Sequence, residues 1–205
     1  MHIGSFLIGR LFFFFMKRSF FLGSVLLASC SKPETNEERI IRYQHMDLQE
    51  MIREIKTPEQ VAWYLQNYIR AEADASMAYT FRDFNERRKG DCSEAVVAAA
   101  ALLSDDGYPP QVMFFRDPFN VDNSPRHVIF LYQENNQWGS LGINRLDVQK
   151  PIFLDLDELA EQFPYKKYAY EELPITMFPE WIYGSGNLNF QKKFFGLSPS
   201  FVNIK

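Results

Sequence analysis

Two cysteines and three histidines in 205 residues leave few ways to hold a metal. His2 and Cys30 fall in the first thirty residues, and the remaining Cys92, His45 and His127 are too widely separated to make a zinc cluster. No phosphate-binding loop is present either: GSGN at Gly184–Asn187 lacks the lysine and helix that such a loop needs. Basic residues are outnumbered, 22 against 26 acidic, and they form no cluster, which argues against nucleic acid as a partner. Nothing raises the prior for paired glycosidase carboxylates, no internal repeat stands out, and no cofactor is implied. What the chain does have is an apolar fraction of 46%, enough for a real core.

The first apolar material belongs to targeting, not to the fold. MKRSFFLGSVLLASC, Met16–Cys30, has a basic start at Lys17 and Arg18, an apolar stretch from Phe20 to Leu27, and small residues before a cysteine. Leu27-Ala28-Ser29-Cys30 resembles a bacterial lipobox, which implies cleavage before Cys30 and lipid on its sulfur. A membrane helix over residues 11–29 would have to bury Lys17 and Arg18. The preceding MHIGSFLIGRLFFFF is an overlong signal or lies upstream of a true start at Met16; the second reading gives a signal of ordinary length. Ser31 is not the aspartate that some bacteria use for inner-membrane retention, which favours the outer membrane. The expected organisation is a signal over 1–29, a lipidated tether over 30–39, and one domain over 40–205. The mature chain would carry 19 basic and 26 acidic residues, a formal −7.

Along that domain, a helix is expected from Ile40 to Ile55. Another starts at Thr57, with Pro58 in its first turn and Gln60 completing a capping box; Val61, Tyr64, Leu65, Tyr68 and Ile69 recur at helical spacing. AYTFRDFNERR is aromatic without a clear period. Asp91-Cys92-Ser93-Glu94 is a third helix start, and the run Ala95–Leu103 is apolar all round, so that helix should be buried on most sides. Extended segments follow at 111–115, 126–133 and 138–142, with a polar loop between the first two and a hairpin turn at Glu134–Gln137. Asp155 and Glu158 cap a short helix, and the aromatic tail from Tyr165 to Lys205 has no readable period. Helices first and antiparallel strands later predict an α+β fold, N-terminal helices packed on an antiparallel sheet.

With Cys30 committed to lipid, Cys92 has no internal disulfide partner, and a lone thiol in an exported protein is either buried or kept for its reactivity. Its place in a first helical turn favours a thiolate, because unpaired N–H groups and the helix dipole stabilise negative charge there. Asp91 and Glu94 oppose this unless capping occupies them. A nucleophile also needs a base, and His127, opening the strand HVIFLYQ, is the candidate; His45 lies among charged residues where a surface role is the stronger reading. The group that orients the imidazole should come after the WGSLG strand. Asp147 is preferred and Asn144 is its rival, while Asp155 and Asp157 are better explained as helix-capping residues.

Gly90-Asp91-Cys92-Ser93-Glu94, the apolar helix, and Gly107-Tyr108-Pro109-Pro110 followed by a strand resemble the nucleophile region of the transglutaminase-like superfamily. Arg126-His127-Val128-Ile129-Phe130 resembles its histidine strand, and Asn136-Gln137-Trp138-Gly139 the following turn. The likeness covers about residues 57–157. It implies a papain-like core, with cysteine at the head of a core helix and histidine and aspartate on adjacent strands. The implied activity is acyl transfer from peptide or carboxamide bonds in the cell envelope, with protease or amidase chemistry favoured over cross-linking. One position departs from the pattern: Ser140-Leu141-Gly142 stands where the family's aspartate usually follows the tryptophan. The family often supplies an oxyanion donor ahead of the cysteine, for which Trp63, Asn67 and Tyr79 are candidates. The rival expectation is a silent surface module that binds peptide or another envelope component in the same cleft, with Trp181, Tyr183 and Phe190 lining a groove.

Overall fold

The computed structural model describes residues 32–72, 78–116, 127–173, 178–184, 187–188 and 200–204. The signal segment with Cys30, the polar loop at 117–126 and Phe190 lie outside them. The architecture is mixed α+β, with helices packed against an antiparallel sheet.

Local chemistry sets the helix starts. The run expected as one helix from Ile40 to Ile55 is two, α1 (Asn36–His45) and α2 (Leu48–Glu54), because Asp47 and Glu50 form a second capping box inside it. The first of them opens at Asn36, so residues 36–39, expected in the tether, are helical; Glu34 just ahead is paired with Arg39 and Arg42. Thr57 caps α3 (Pro58–Asn67), and Val61, Tyr64, Leu65, Tyr68 and Ile69 are all buried as their spacing predicts. The stretch without a clear period contains α4 (Phe81–Arg87), capped by Thr80 and anchored by buried Phe81 and Phe84. Asp91 caps α5 (Cys92–Leu103), and every residue of α5 from Glu94 onward is buried. Its five alanines let the sheet and other helices approach from several sides.

The main sheet holds β4 (Gln111–Arg116), β5 (His127–Glu134), β6 (Gln137–Leu141), β7 (Gln149–Phe153), β8 (Lys167–Glu172) and β10 (Val202–Asn203), in the order β10-β8-β4-β5-β6-β7. Two short pairs lie apart: β1 (Arg70–Ala71) runs parallel to β3 (Lys89–Gly90), and β2 (Ala78–Tyr79) antiparallel to β9 (Asn187–Leu188). The β5–β6 hairpin turns through Asn135 and Asn136, both at positive φ (51° and 62°), the backbone that suits the twist of flanking strands.

Side-chain alternation on β5 explains why the sheet is covered twice. Val128, Phe130 and Tyr132 enter the large core with α5, whereas Ile129 and Leu131 enter a second core with Met113, Phe115, Phe153, Leu159, Phe163 and Tyr168. Burying each such side chain is worth about 1.5–3 kcal/mol. The second core is closed by α6 (Leu156–Ala160), capped by Asp155. The tail left unassigned from its sequence supplies β8, a strand paired along its length with β4, and α7 (Phe178–Tyr183), whose Trp181 is fully buried. The core therefore extends on both sides of residues 57–157, from Tyr43 and Met51 to Leu173 and Trp181.

Candidate functional site

The site forms where the head of α5 meets the first residue of β5. Asp91 accepts a hydrogen bond from the Ser93 N–H at 2.8 Å, and Glu94 reaches back to accept from the Asp91 N–H at 2.8 Å. This reciprocal box fixes the first turn and leaves Cys92 half-buried with a free thiol. Glu94 is wholly buried and serves more than the cap. Its Oε1 also accepts from Arg87 Nη1 at 3.0 Å and from the Tyr79 N–H at 3.3 Å, tying α4 and β2 to the helix that carries Cys92. Burial pushes its carboxyl up to about 7, even though the Asp91 N–H bond and the Arg87 charge oppose the shift. Gly90 must be glycine here: a Cβ would lie 2.6 Å from Phe84 and would strike Glu94 Oε2.

His127 is buried, and its Nε2 lies 2.7 Å from Asp147 Oδ1. Cys92 lies near enough to the same ring to raise its basicity, and with Nε2 taken by the carboxylate, Nδ1 is the nitrogen left open. Burial lowers the basicity of the imidazole, but the hydrogen bonds and charges of Asp147 and Cys92 outweigh it and hold His127 up at about 10. Both neighbours favour the charged, imidazolium form of the ring.

Asp147 ends a 3₁₀ turn, Arg145–Asp147, that follows β6. Its Oδ2 accepts from the Asn144 N–H at 2.9 Å and from Asn144 Nδ2 at 3.2 Å, leaving Oδ1 for the histidine. Of the two residues proposed to orient the ring, Asp147 touches it and Asn144 holds Asp147. The departure at Ser140-Leu141-Gly142 has a geometric counterpart. Ser140 Oγ donates to the Asp147 carbonyl at 2.7 Å, and a Cβ on Gly142 would lie 2.5 Å from Asp147 Cβ, so this strand end makes room for a carboxylate arriving from the turn. Gln66 on α3 secures that end by donating to the carbonyls of Gly142 and Ile143 at 3.0 and 3.1 Å.

Other sequence candidates are engaged elsewhere. His45 is exposed in the last turn of α1. Trp63 Nε1 donates to Asn36, Asn67 Nδ2 donates to the Trp63 carbonyl, and the Tyr79 ring lies 3.7 Å under the Arg87 guanidinium. Asp155 caps α6 and Asp157 accepts from the Tyr168 hydroxyl at 2.7 Å. Trp181 is core, and Tyr183 is partly exposed at the end of α7. Among the described residues no acidic, histidine and cysteine group could hold a metal ion, and no helix is long and apolar enough to cross a membrane.

Sequence reading missed Gln66, Ser140 and the rings beside His127. Gln66 sits among buried positions of α3 with nothing in its neighbours to mark it, whereas Ser140 lay inside the very strand end where a partner was sought. Compared with protein-family models and with curated proteins, the chain matches none; its function is argued from the site itself.

Proposed function

We propose that this protein is a cysteine-dependent acyl-transfer enzyme of transglutaminase-like, papain-like build, acting on peptide or carboxamide bonds, with hydrolysis favoured over cross-linking. The observation that carries the reading is one grouping: His127 bonded to Asp147 at 2.7 Å, with Cys92 near enough to raise the basicity of the same ring. A nucleophile, a base and an orienting carboxylate in that order are what thiol acyl transfer requires. The order of elements agrees with it, a core helix headed by cysteine and then antiparallel strands bearing the other two groups.

In the proposed cycle the Cys92 thiolate attacks the carbonyl carbon. The Cys92 N–H, one of the donors a helix start leaves without an intrahelical partner, is the proposed donor to the developing oxyanion. The imidazolium gives its proton to the leaving nitrogen as the C–N bond breaks, which leaves a thioester and a neutral imidazole. Water then attacks the thioester, His127 takes its proton, the C–S bond breaks, and the thiolate–imidazolium pair is restored. Asp147 keeps the ring in place and favours its charged form throughout. Export by the segment ending at Ser29 and lipid on Cys30 would hold the enzyme at a bacterial membrane, the outer one by the Ser31 rule, facing envelope peptides.

Iodoacetamide alkylation tests the reading. Cys92 in the folded protein should react faster at pH 6 than a model thiol, and His127→Ala should remove that advantage. An inert Cys92 beside an intact His127 would overturn the enzyme reading and favour the silent binding module. Radiolabelled palmitate incorporation that survives Cys30→Ser would overturn the anchor.

A further inference from the structure

The ring of His127 has aromatic neighbours. Tyr165, in the connection between α6 and β8, lies against it with ring centroids 5.8 Å apart and planes 20° from parallel. Phe115, the cross-strand partner of His127 on β4, lies 6.1 Å away at the same tilt, and Tyr165 and Phe115 stack on each other at 5.0 Å. Phe163 backs Phe115 at 4.6 Å, so the assembly is rooted in the second core. Tyr165 itself is only half-buried, the member of the stack nearest solvent.

The bond from this imidazole to Asp147, and the orientation of the ring toward Cys92, change together if the ring rotates about its Cβ–Cγ bond. Parallel rings on the ring face oppose that rotation without competing for either nitrogen. An aromatic face also favours the charged form of the imidazole over the neutral one. Among the described residues, the titratable groups that face His127 are Asp147 from the turn after β6, Cys92 from α5, and the Tyr165 phenol; Phe115 adds an uncharged face.

We infer that Tyr165 is a positioning residue for the Cys92–His127 pair: its ring fixes the imidazolium plane and stabilises its charge by stacking, and its hydroxyl is dispensable. The inference rests on the acyl-transfer reading of the site and adds a residue to it from outside the cysteine, histidine and aspartate segments.

The test is the pH profile of Cys92 alkylation by iodoacetamide in the full chain, for wild type, Tyr165→Phe, Tyr165→Leu and Tyr165→Ala. Phe should reproduce the wild-type profile. Leu keeps most of the volume and drops the aromatic face; it should move the alkaline limb down by roughly one pH unit, about the effect of one stacked ring on a partly desolvated cation. Ala should move it at least as far. A merely structural role would lower stability in Leu and Ala while leaving the limb where it is, and that result overturns the inference. So does a Phe variant that shifts like Leu, since the hydroxyl would then be the active part. Wild-type Cys92 that is indifferent to His127→Ala is a distinguishable failure, because it removes the acyl-transfer reading before Tyr165 is tested.

Discussion

At Asp47–Glu50 and again at Asp91–Glu94, an aspartate caps a helix and a glutamate three residues on reaches back to the cap N–H. The local geometry is almost the same, with carboxylate-to-N–H distances of 2.7 and 2.9 Å in the first and 2.8 Å for both bonds in the second. Their surroundings are not. Both Asp47 and Glu50 are exposed to water, whereas Glu94 is wholly buried and also holds Arg87 and Tyr79. One motif thus ends as a helix start and the other as the frame of the proposed reactive centre. A third version, Asn144–Asp147, goes a step further: its acidic member caps with one oxygen and grips His127 with the other. Burial and a second partner turn a cap into chemistry.

The comparison breaks most severely at Asp147. Asp147→Ala leaves a buried imidazolium without its counter-charge, so about 3–5 kcal/mol of stability should be lost in denaturant unfolding. Alkylation of Cys92 should slow by on the order of 10². Glu94→Ala removes the carboxylate from Arg87 and from two backbone N–H groups and should cost about 3 kcal/mol by the same measurement. Glu94→Gln sharpens the point. The Glu94 carboxyl sits above its ordinary value of 4.5 when folded, at about 7, so its contribution is complete below pH 4.5 and is lost as pH rises through about 7. Stability measured across that window should fall with rising pH in wild type and run flatter in the glutamine variant. Next in size is Gly142→Ala, whose Cβ must displace Asp147; about 1–3 kcal/mol and slower labelling are expected, with the rate read on still-folded protein. Smallest of all, Glu50→Ala should cost less than about 1 kcal/mol and leave the Cys92 alkylation rate unchanged. A Glu50 effect as large as that of Glu94 would show that burial is not what separates the two boxes.

The legible parts of this molecule were those in which a few neighbouring residues decide the outcome. Thr57-Pro58 with Gln60, Asp91 with Glu94, the alternation along Val128–Tyr132, and Asn135-Asn136 between two strands each carry their own geometry. Strand β8 was not legible, because KYAYEE is given its strand identity by β4, more than fifty residues earlier in the chain. Strand β7 was hidden for another reason: it is an edge strand containing Pro151, and three of its five side chains are polar or proline. Helix α4 is only seven residues long, too short for its Phe81–Phe84 spacing to read as a period. At the site, Cys92 and His127 could be nominated from residue type and context. Asp147 could be preferred to Asn144 only by its place after the strand, since the two belong to one capping box and the backbone path decides which reaches the ring. The Tyr165 stack had no sequence signal, because it is assembled from three segments that are distant along the chain.

The thiol stands on the helical layer and the imidazole on the sheet, so the two meet only while the layers are docked. On the proposed reading, Cys92 reactivity is a gauge of tertiary packing that secondary structure alone does not move. In a molten state, with helices and strands retained but packing lost, far-ultraviolet dichroism would persist while the reactivity of the thiol fell to that of an ordinary cysteine. The single thiol among the described residues thus carries a built-in reporter of the moment the two layers close on each other.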